Sequence, residues 1–200
     1  MGAKAENNEE FSLNSKEKKF CVSLAKKSIE NFLRSGISVK LNEGELDDVP
    51  KKLREIKACF VTLTINNELR GCIGHLNAVQ PLYEDIIENA CAAAFFDPRF
   101  SPLDEKEFSS LNVEVSILTE PKKVFFKDSA DLLKKIVAGR DGLIISKSGH
   151  SATFLPSVWD EINSKEEFLS HLCQKAGLMP DEWKRSGMEV QHYYTIKAGK

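Results

Sequence analysis

Apolar residues recur along the chain at two spacings, and each spacing predicts a type of element. Between Ser15 and Arg34 they recur every three or four positions, which predicts an amphipathic helix that ends at Gly36. The same spacing after Pro81 predicts a helix that runs to about Phe96. Two shorter helices are predicted over residues 129–137 and from Ser164, whose capping box includes Glu167, to Gly177.

Alternating or β-branched apolar runs predict the strands. The runs at 58–65 and 69–76 flank Asn66-Asn67-Glu68 and predict a β-hairpin, whose two strands we expect in the centre of a sheet. Further strands are predicted at 112–119, at 143–146 and 152–155 around Ser148-Gly149, and at 188–196, where Met188, Val190, His192, Tyr194 and Ile196 would form one buried face. Helices mixed with hairpins favour an α+β fold with a mainly antiparallel sheet and packed helices.

Length and charge place these elements in one compact domain. The 200 residues suffice for one domain with a full core. We expect residues 1–13 to form a loose polar tail and residues 14–200 to form the domain. Lysine plus arginine number 28 against 30 acidic residues, which argues against broad non-specific binding of nucleic acid. No apolar stretch approaches the length of a membrane helix, so no membrane partner is expected.

The five cysteines, an odd number without a CxxC pair, favour reduced thiols in a cytoplasmic protein over a disulfide framework or a zinc site. The histidines show no metal-ligand spacing, so no metal site is predicted, and no motif assigns a cofactor.

The segment Leu69-Arg70-Gly71-Cys72-Ile73-Gly74-His75 is the best local candidate for chemistry. Two glycines weaken a strand, and bulges or close approach of another group are the usual reasons for them. Arg70 would share a face with Cys72 and favour its thiolate, which makes Cys72 a candidate nucleophile. The alternative is a small cysteine packed near a strand kink. His75 and His192 are the only plausible bases for it, although strand alternation points His75 away from Cys72.

Arginine placement gives a second candidate. The chain has 22 lysines and only six arginines. Arg70, Arg99 and Arg140 stand beside glycine or proline breaks, with Asp97 and Asp141 close to two of them. Arginine suits bidentate recognition of carboxylate or phosphate, so one interpretation is a shared anion-binding cleft with Cys72 nearby. The other is that these arginines tie loops to carboxylates and backbone carbonyls.

Several runs resemble the AMMECR domain family, over almost the whole chain from about Lys16 to Ile196. They are LRGCIG at 69–74, FFDPRFSPL at 95–103, GRDGLII at 139–145, FLPSVW at 154–159, FLSHLCQKAGL at 168–178 and the Tyr pair at 193–194. The resemblance implies one α+β domain with a larger and a smaller subdomain and no settled activity. It also implies Memo-type and radical SAM proteins as partners in a shared pathway.

Two functional hypotheses follow. The first is a cytoplasmic binding or scaffold module whose Cys/Arg-lined cleft takes an anionic small molecule, a nucleotide or a partner protein. The alternative is an enzyme or enzyme component that uses Cys72 as nucleophile, with His75 as base, on a nucleotide, phosphometabolite or RNA substrate. Arg70, Asp97, Arg99, Arg140 and Asp141 would hold the ligand in either case.

Overall fold

A computed structural model describes residues 11–162 and 164–199. These residues form two compact units, which we call unit 1 (11–117 and 196–199) and unit 2 (118–195). Both combine helices with a four-stranded sheet, so the predicted α+β class is confirmed. The helices are α1 (Ser15–Ser35), α2 (Glu43–Asp47), α3 (Leu82–Phe95), α4 (Glu105–Phe108), α5 (Ser129–Lys135) and α6 (Lys165–Lys175). The strands are β1 (Cys59–Ile65), β2 (Glu68–Gly74), β3 (Asn112–Leu118), β4 (Lys122–Lys123), β5 (Gly142–Lys147), β6 (His150–Phe154), β7 (Glu189–Tyr193) and β8 (Thr195–Ala198).

Helix α1 begins and ends where its sequence provides caps. The side chain of Asn14 accepts the backbone N–H of Glu17 at 3.0 Å, and Glu17 in return accepts the N–H of Asn14 at 2.8 Å. Gly36 ends the helix in the left-handed region, at φ 69°. Within the segment predicted as a loose tail, residues 1–10 lie outside the described part, whereas Leu13 is buried in the core of unit 1.

The predicted hairpin of β1 and β2 is present and places Cys72. Asn66 and Asn67 have φ of 52° and 67°, the left-handed backbone that two-residue hairpin turns require. The sheet order is β2-β1-β3-β8, so β1 is internal but β2 lies at an edge. The expectation that both strands are central is therefore wrong for β2. A register shift opposite Leu63 and Thr64 leaves Arg70 without a partner in the ladder.

Close packing against α3 explains the first glycine of β2. A Cβ on Gly71 would overlap the backbone carbonyl of Ala93, a residue of the small-residue run in α3. Only glycine lets the strand and the helix approach this closely. Strand β1 and helices α1 and α3 then bury an apolar core. Its members include Ile29, Val61, Leu63, Ile86 and Ile117.

Unit 2 has its own core on a sheet of order β4-β7-β5-β6. The rings of Trp159 and Phe168 stack at a centroid distance of 3.7 Å and pack with Leu143, Leu172 and other buried side chains. The side chain of Ser164 accepts the backbone N–H of Glu167 at 3.1 Å, as predicted for the start of α6.

The closing strand differs from its prediction. Instead of one strand over 188–196, the chain forms β7 in the sheet of unit 2 and β8 in the sheet of unit 1. Tyr193, expected on the open face, is buried, because Gly142 lies opposite it and leaves room for its ring. Its hydroxyl lies 3.0 Å from Oγ1 of Thr153 and donates to the carbonyl of Phe154. Among the described helices, none has the length and apolar character to cross a membrane.

Candidate functional site

The residues singled out from the sequence are distributed over both units. Unit 1 contains Arg70, Cys72, His75, Asp97 and Arg99. Unit 2 contains Arg140 and Asp141. The two groups belong to different units, and the shared cleft stays a prediction.

Cys72 lies on β2 directly opposite Thr62 of β1. Its Sγ is 3.3 Å from the hydroxyl oxygen of Thr62, and the side chain is half-buried. The chain's other cysteines, Cys21, Cys59, Cys91 and Cys173, are all buried. Cys72 is therefore the cysteine with the most open access to solvent.

Asp97 joins Cys72 to Arg99. Its buried carboxylate accepts the backbone N–H of Cys72 at 2.9 Å and that of Arg99 at 3.1 Å. Nε and one terminal nitrogen of Arg99 donate to the two carboxylate oxygens at 3.0 and 2.7 Å. These contacts, the Arg99 side chain foremost, hold the pKa of Asp97 well below its usual range. The guanidinium of Arg99 also donates to the carbonyl of Cys72 at 3.3 Å, yet its side chain is 53% exposed.

Arg70, by contrast, is occupied by protein groups. Its guanidinium donates to both carboxylate oxygens of Glu107, at 2.7 and 2.9 Å, and to the carbonyl of Ser101. The side chain is only 11% exposed, and Glu107 in turn has its pKa lowered by Arg70. The ring of Phe100 contacts the guanidinium groups of both Arg70 and Arg99, at 5.8 and 5.4 Å from its centroid. The arginine that reaches Cys72 is thus Arg99, and Arg70 anchors α4 and the loop before it.

His75, which follows β2 in the chain, belongs to a separate polar network with side chains of α3. Its Nδ1 lies 2.6 Å from Oδ1 of Asp85, whose buried carboxylate also accepts the backbone N–H of Cys59 at 2.7 Å. Gln80 and Asn89 donate to the same carboxylate at 3.0 Å each. Asp85 was not identified from the sequence. The signal is the polar pair Asp85 and Asn89, four residues apart in the apolar stripe of α3.

In unit 2, Arg140 and Asp141 repeat the arrangement of Arg99 and Asp97. Nε of Arg140 donates to Oδ1 of the buried Asp141 at 2.8 Å, and Oδ2 accepts the backbone N–H of Val137 at 2.8 Å. The carbonyl of Asp141 accepts the indole N–H of Trp159 at 2.7 Å, which ties the turn to the core. The Arg140 side chain is 52% exposed, and its positive charge is balanced by the carboxylate of Asp141.

Two further side chains of unit 2 lie close to this pair: Tyr194, which was not assigned from the sequence, and His192, which the sequence offered as a possible base. The guanidinium carbon lies 4.8 Å from the ring centroid of Tyr194. His192 meets the same ring edge-on at 5.3 Å, and its Nδ1 is 4.0 Å from Oδ2 of Asp141. Both residues stand in the run that the sequence predicted as one strand, and the alternation alone gave no reason to pair them with a turn 50 residues earlier.

Comparisons with known proteins agree with the resemblance seen in the sequence. The AMMECR1 family model matches residues 22–198. Protein MK0488 of Methanopyrus kandleri is 41% identical over 182 residues, which cover 87% of this chain and 84% of that protein. Protein MJ0810 of Methanocaldococcus jannaschii is 40% identical over 181 residues, covering 87% and 85%. The crystal structure of the uncharacterized protein PH0010 from Pyrococcus horikoshii superposes with a TM-score of 0.81 at 36% identity, covering 94% of this chain and 93% of that one. The chain belongs to the AMMECR1 family.

Proposed function

We propose that the protein is a binding module that takes anionic ligands at Arg99 and at Arg140. The observation that carries this proposal is the recurrence of one arrangement in both units. In each, a buried aspartate within two residues of the arginine in sequence accepts its Nε–H, and about half of the arginine side chain stays exposed, 53% for Arg99 and 52% for Arg140.

This arrangement suits recognition of an anion. The buried aspartate holds the guanidinium in one orientation, so the arginine presents its remaining N–H groups without further loss of side-chain freedom. Within the described residues, Arg140 uses only Nε in a hydrogen bond to protein, so both terminal nitrogens remain available as donors. Carboxylates and phosphates are the ligands that match this planar fork.

Arg70 differs from Arg99 and Arg140 in its exposure and in its hydrogen-bond partners. Its hydrogen bonds go to Glu107 and Ser101, and it is nearly buried. An arginine of that kind holds a loop and is not open to a ligand. The proposal therefore assigns ligand binding to Arg99 and Arg140 and a structural role to Arg70. The five unpaired cysteines fit a reducing compartment, which supports the cytoplasm as its location.

The test is a titration of the full chain with inorganic pyrophosphate, followed by calorimetry and by NMR of the arginine side chains. We expect Arg99→Gln and Arg140→Gln each to weaken binding, and the double variant to remove it. Arg34→Gln is the matched control, since Arg34 is an exposed arginine of α1 that pairs with Glu30 on the same helix. Unchanged affinity in the double variant would contradict the proposal.

An enzyme that uses Cys72 as nucleophile is the second candidate, favoured by the greater exposure of Cys72 compared with the other cysteines. The base expected from the same strand, His75, is engaged with Asp85. The enzyme hypothesis therefore requires a base outside this strand or supplied by the ligand. Incubation with nucleotides and phosphometabolites, followed by mass spectrometry of the intact protein, tests it. An adduct on the wild type that Cys72→Ser abolishes would favour catalysis over binding alone.

A further inference from the structure

We infer that the Arg140 site of unit 2 selects the phosphate group of a small molecule over a carboxylate. This inference rests on the proposed function and names the ligand class for one of its two sites. The Arg140 site consists of Lys122, Arg140, Asp141, His192 and Tyr194, all within residues 118–195.

The guanidinium of Arg140 is held on two sides. Asp141 accepts its Nε–H, and the ring of Tyr194 lies against its plane. Tyr194 itself is fixed by its backbone, because its carbonyl accepts the N–H of Thr119 and its N–H donates to the hydroxyl of Thr119, both at 2.9 Å. The plane in which Arg140 offers its terminal N–H groups is therefore set before a ligand arrives.

Two further donors are connected to this guanidinium through its partners Tyr194 and Asp141. His192 packs edge-on against Tyr194 and lies 4.0 Å from the far oxygen of Asp141. Lys122 of β4 is the direct cross-strand partner of His192 on β7, so the two side chains share a face of the sheet. Lys122 is exposed, and within the described residues it makes no ion pair, unlike Lys123, which pairs with Glu189.

The charge of the cluster indicates which anion it fits. Arg140 and Lys122 carry two positive charges against the one negative charge of Asp141, and the ring of His192 offers a further N–H donor. A carboxylate brings one negative charge and two oxygens, which the fork of Arg140 satisfies alone. A phosphate monoester brings about 1.5 to 2 negative charges and three terminal oxygens. Only the phosphate uses His192 and Lys122 as well, so these two residues are the source of the selectivity.

Phenyl phosphate and benzoate are suitable probes, because they share a ring and differ in the anionic group. With the full wild-type chain in a buffer free of phosphate, calorimetry and NMR shifts of unit 2 should give phenyl phosphate about tenfold tighter binding than benzoate. His192→Gln and Lys122→Gln should each lower the affinity for phenyl phosphate and narrow this ratio. His171→Gln, an exposed histidine of α6, is the matched control and should keep the ratio.

The outcomes separate the inference from the proposed function. Equal affinities for the two probes would overturn phosphate selectivity, and a ratio that neither variant changes would overturn the role of His192 and Lys122 in it. Anion binding at Arg140 still stands in both cases. If Arg140→Gln binds both probes as the wild type does, the proposed function fails at this site as well. Thermal unfolding checks that each variant is folded. Since Lys122 is exposed, its variant keeps the test decisive even if His192→Gln unfolds.

Discussion

The carboxylate of Asp97 accepts the backbone N–H of Cys72 at 2.9 Å, and the same carboxylate accepts hydrogen bonds from Nε and one terminal nitrogen of Arg99. A single side chain thereby joins the strand that bears the candidate thiol to the loop that bears the candidate anion-binding arginine.

Replacing Asp97 by asparagine should lower the free energy of unfolding by about 3 kcal/mol, because it removes a buried, charged acceptor of several hydrogen bonds. Urea denaturation at pH 7 measures this loss. Asp160→Asn, at an exposed aspartate, should change stability by less than about 0.5 kcal/mol. A similar loss in both variants would contradict the role given to Asp97.

The Asp97→Asn substitution should also change how the free energy of unfolding depends on pH. The folded pKa of Asp97 lies below that of the unfolded chain, so its stabilising contribution is complete above about pH 4 and is lost as the pH falls toward the folded pKa. The difference in stability between wild type and Asp97→Asn should therefore shrink as the pH is lowered from 5 to about 2. A difference that stays constant with pH would show that the charge of Asp97 contributes nothing.

The pair of Arg70 and Glu107 should be coupled far more strongly than an exposed pair. A double-mutant cycle with alanine at both positions should give a coupling energy of about 1–3 kcal/mol, since Arg70 is nearly buried and bound at two oxygens. The matched cycle on Glu30 and Arg34, an exposed pair four residues apart on α1, should give about 0.3–0.5 kcal/mol. Equal coupling energies would remove the distinction drawn between Arg70 and the exposed arginines.

Cys72 should be the first cysteine to react with iodoacetamide in the native protein at pH 7. Burial raises the pKa of Cys91 and Cys173, and that of Cys21 to about 12, whereas Cys72 is half-buried. Peptide mass spectrometry after short labelling gives the order. Earlier labelling of any buried cysteine would contradict it, and labelling in denaturant provides the reference rates.

Gly71→Ala should destabilise the protein by about 3 kcal/mol or more, because the new methyl group overlaps the backbone carbonyl of Ala93 and neither backbone can retreat. Gly44→Ala is the control, since a methyl group at position 44 would make only an ordinary van der Waals contact, at 3.5 Å from Oδ1 of Asn42. Thermal unfolding distinguishes the two. Tolerance of alanine at position 71 would mean that β2 and α3 are less tightly packed than described.

The features that the sequence predicted correctly are formed by residues that lie close together in the chain. The turn at Asn66-Asn67, the end of α1 at Gly36 and the pairing of Arg99 with Asp97 all involve residues within a few positions of each other. The partner of Arg70 lies 37 residues away, and nothing in the spacing of charges along the chain points to Glu107.

The burial of Tyr193 also depends on a residue that is distant in the chain. Alternation placed it on the open face, but its environment depends on the residue opposite, and Gly142 belongs to another strand 51 positions earlier. A large side chain facing a glycine, with its hydroxyl bonded to Thr153, is buried regardless of its place in the alternation. Cross-strand neighbours of this kind are not visible in one sequence.

The position of β8 has a consequence for the order in which the chain is assembled. β8 is the neighbour of β3 in the sheet of unit 1, yet the whole of unit 2 separates them in the chain. During synthesis, unit 2 emerges as one continuous segment and can fold as soon as it is complete. Unit 1 starts earlier but waits for residues 196–198 to cover the edge of β3. The edge of β3 therefore stays unpaired until the whole of unit 2 has been synthesised, and an unpaired edge is a template on which a strand of another chain can pair.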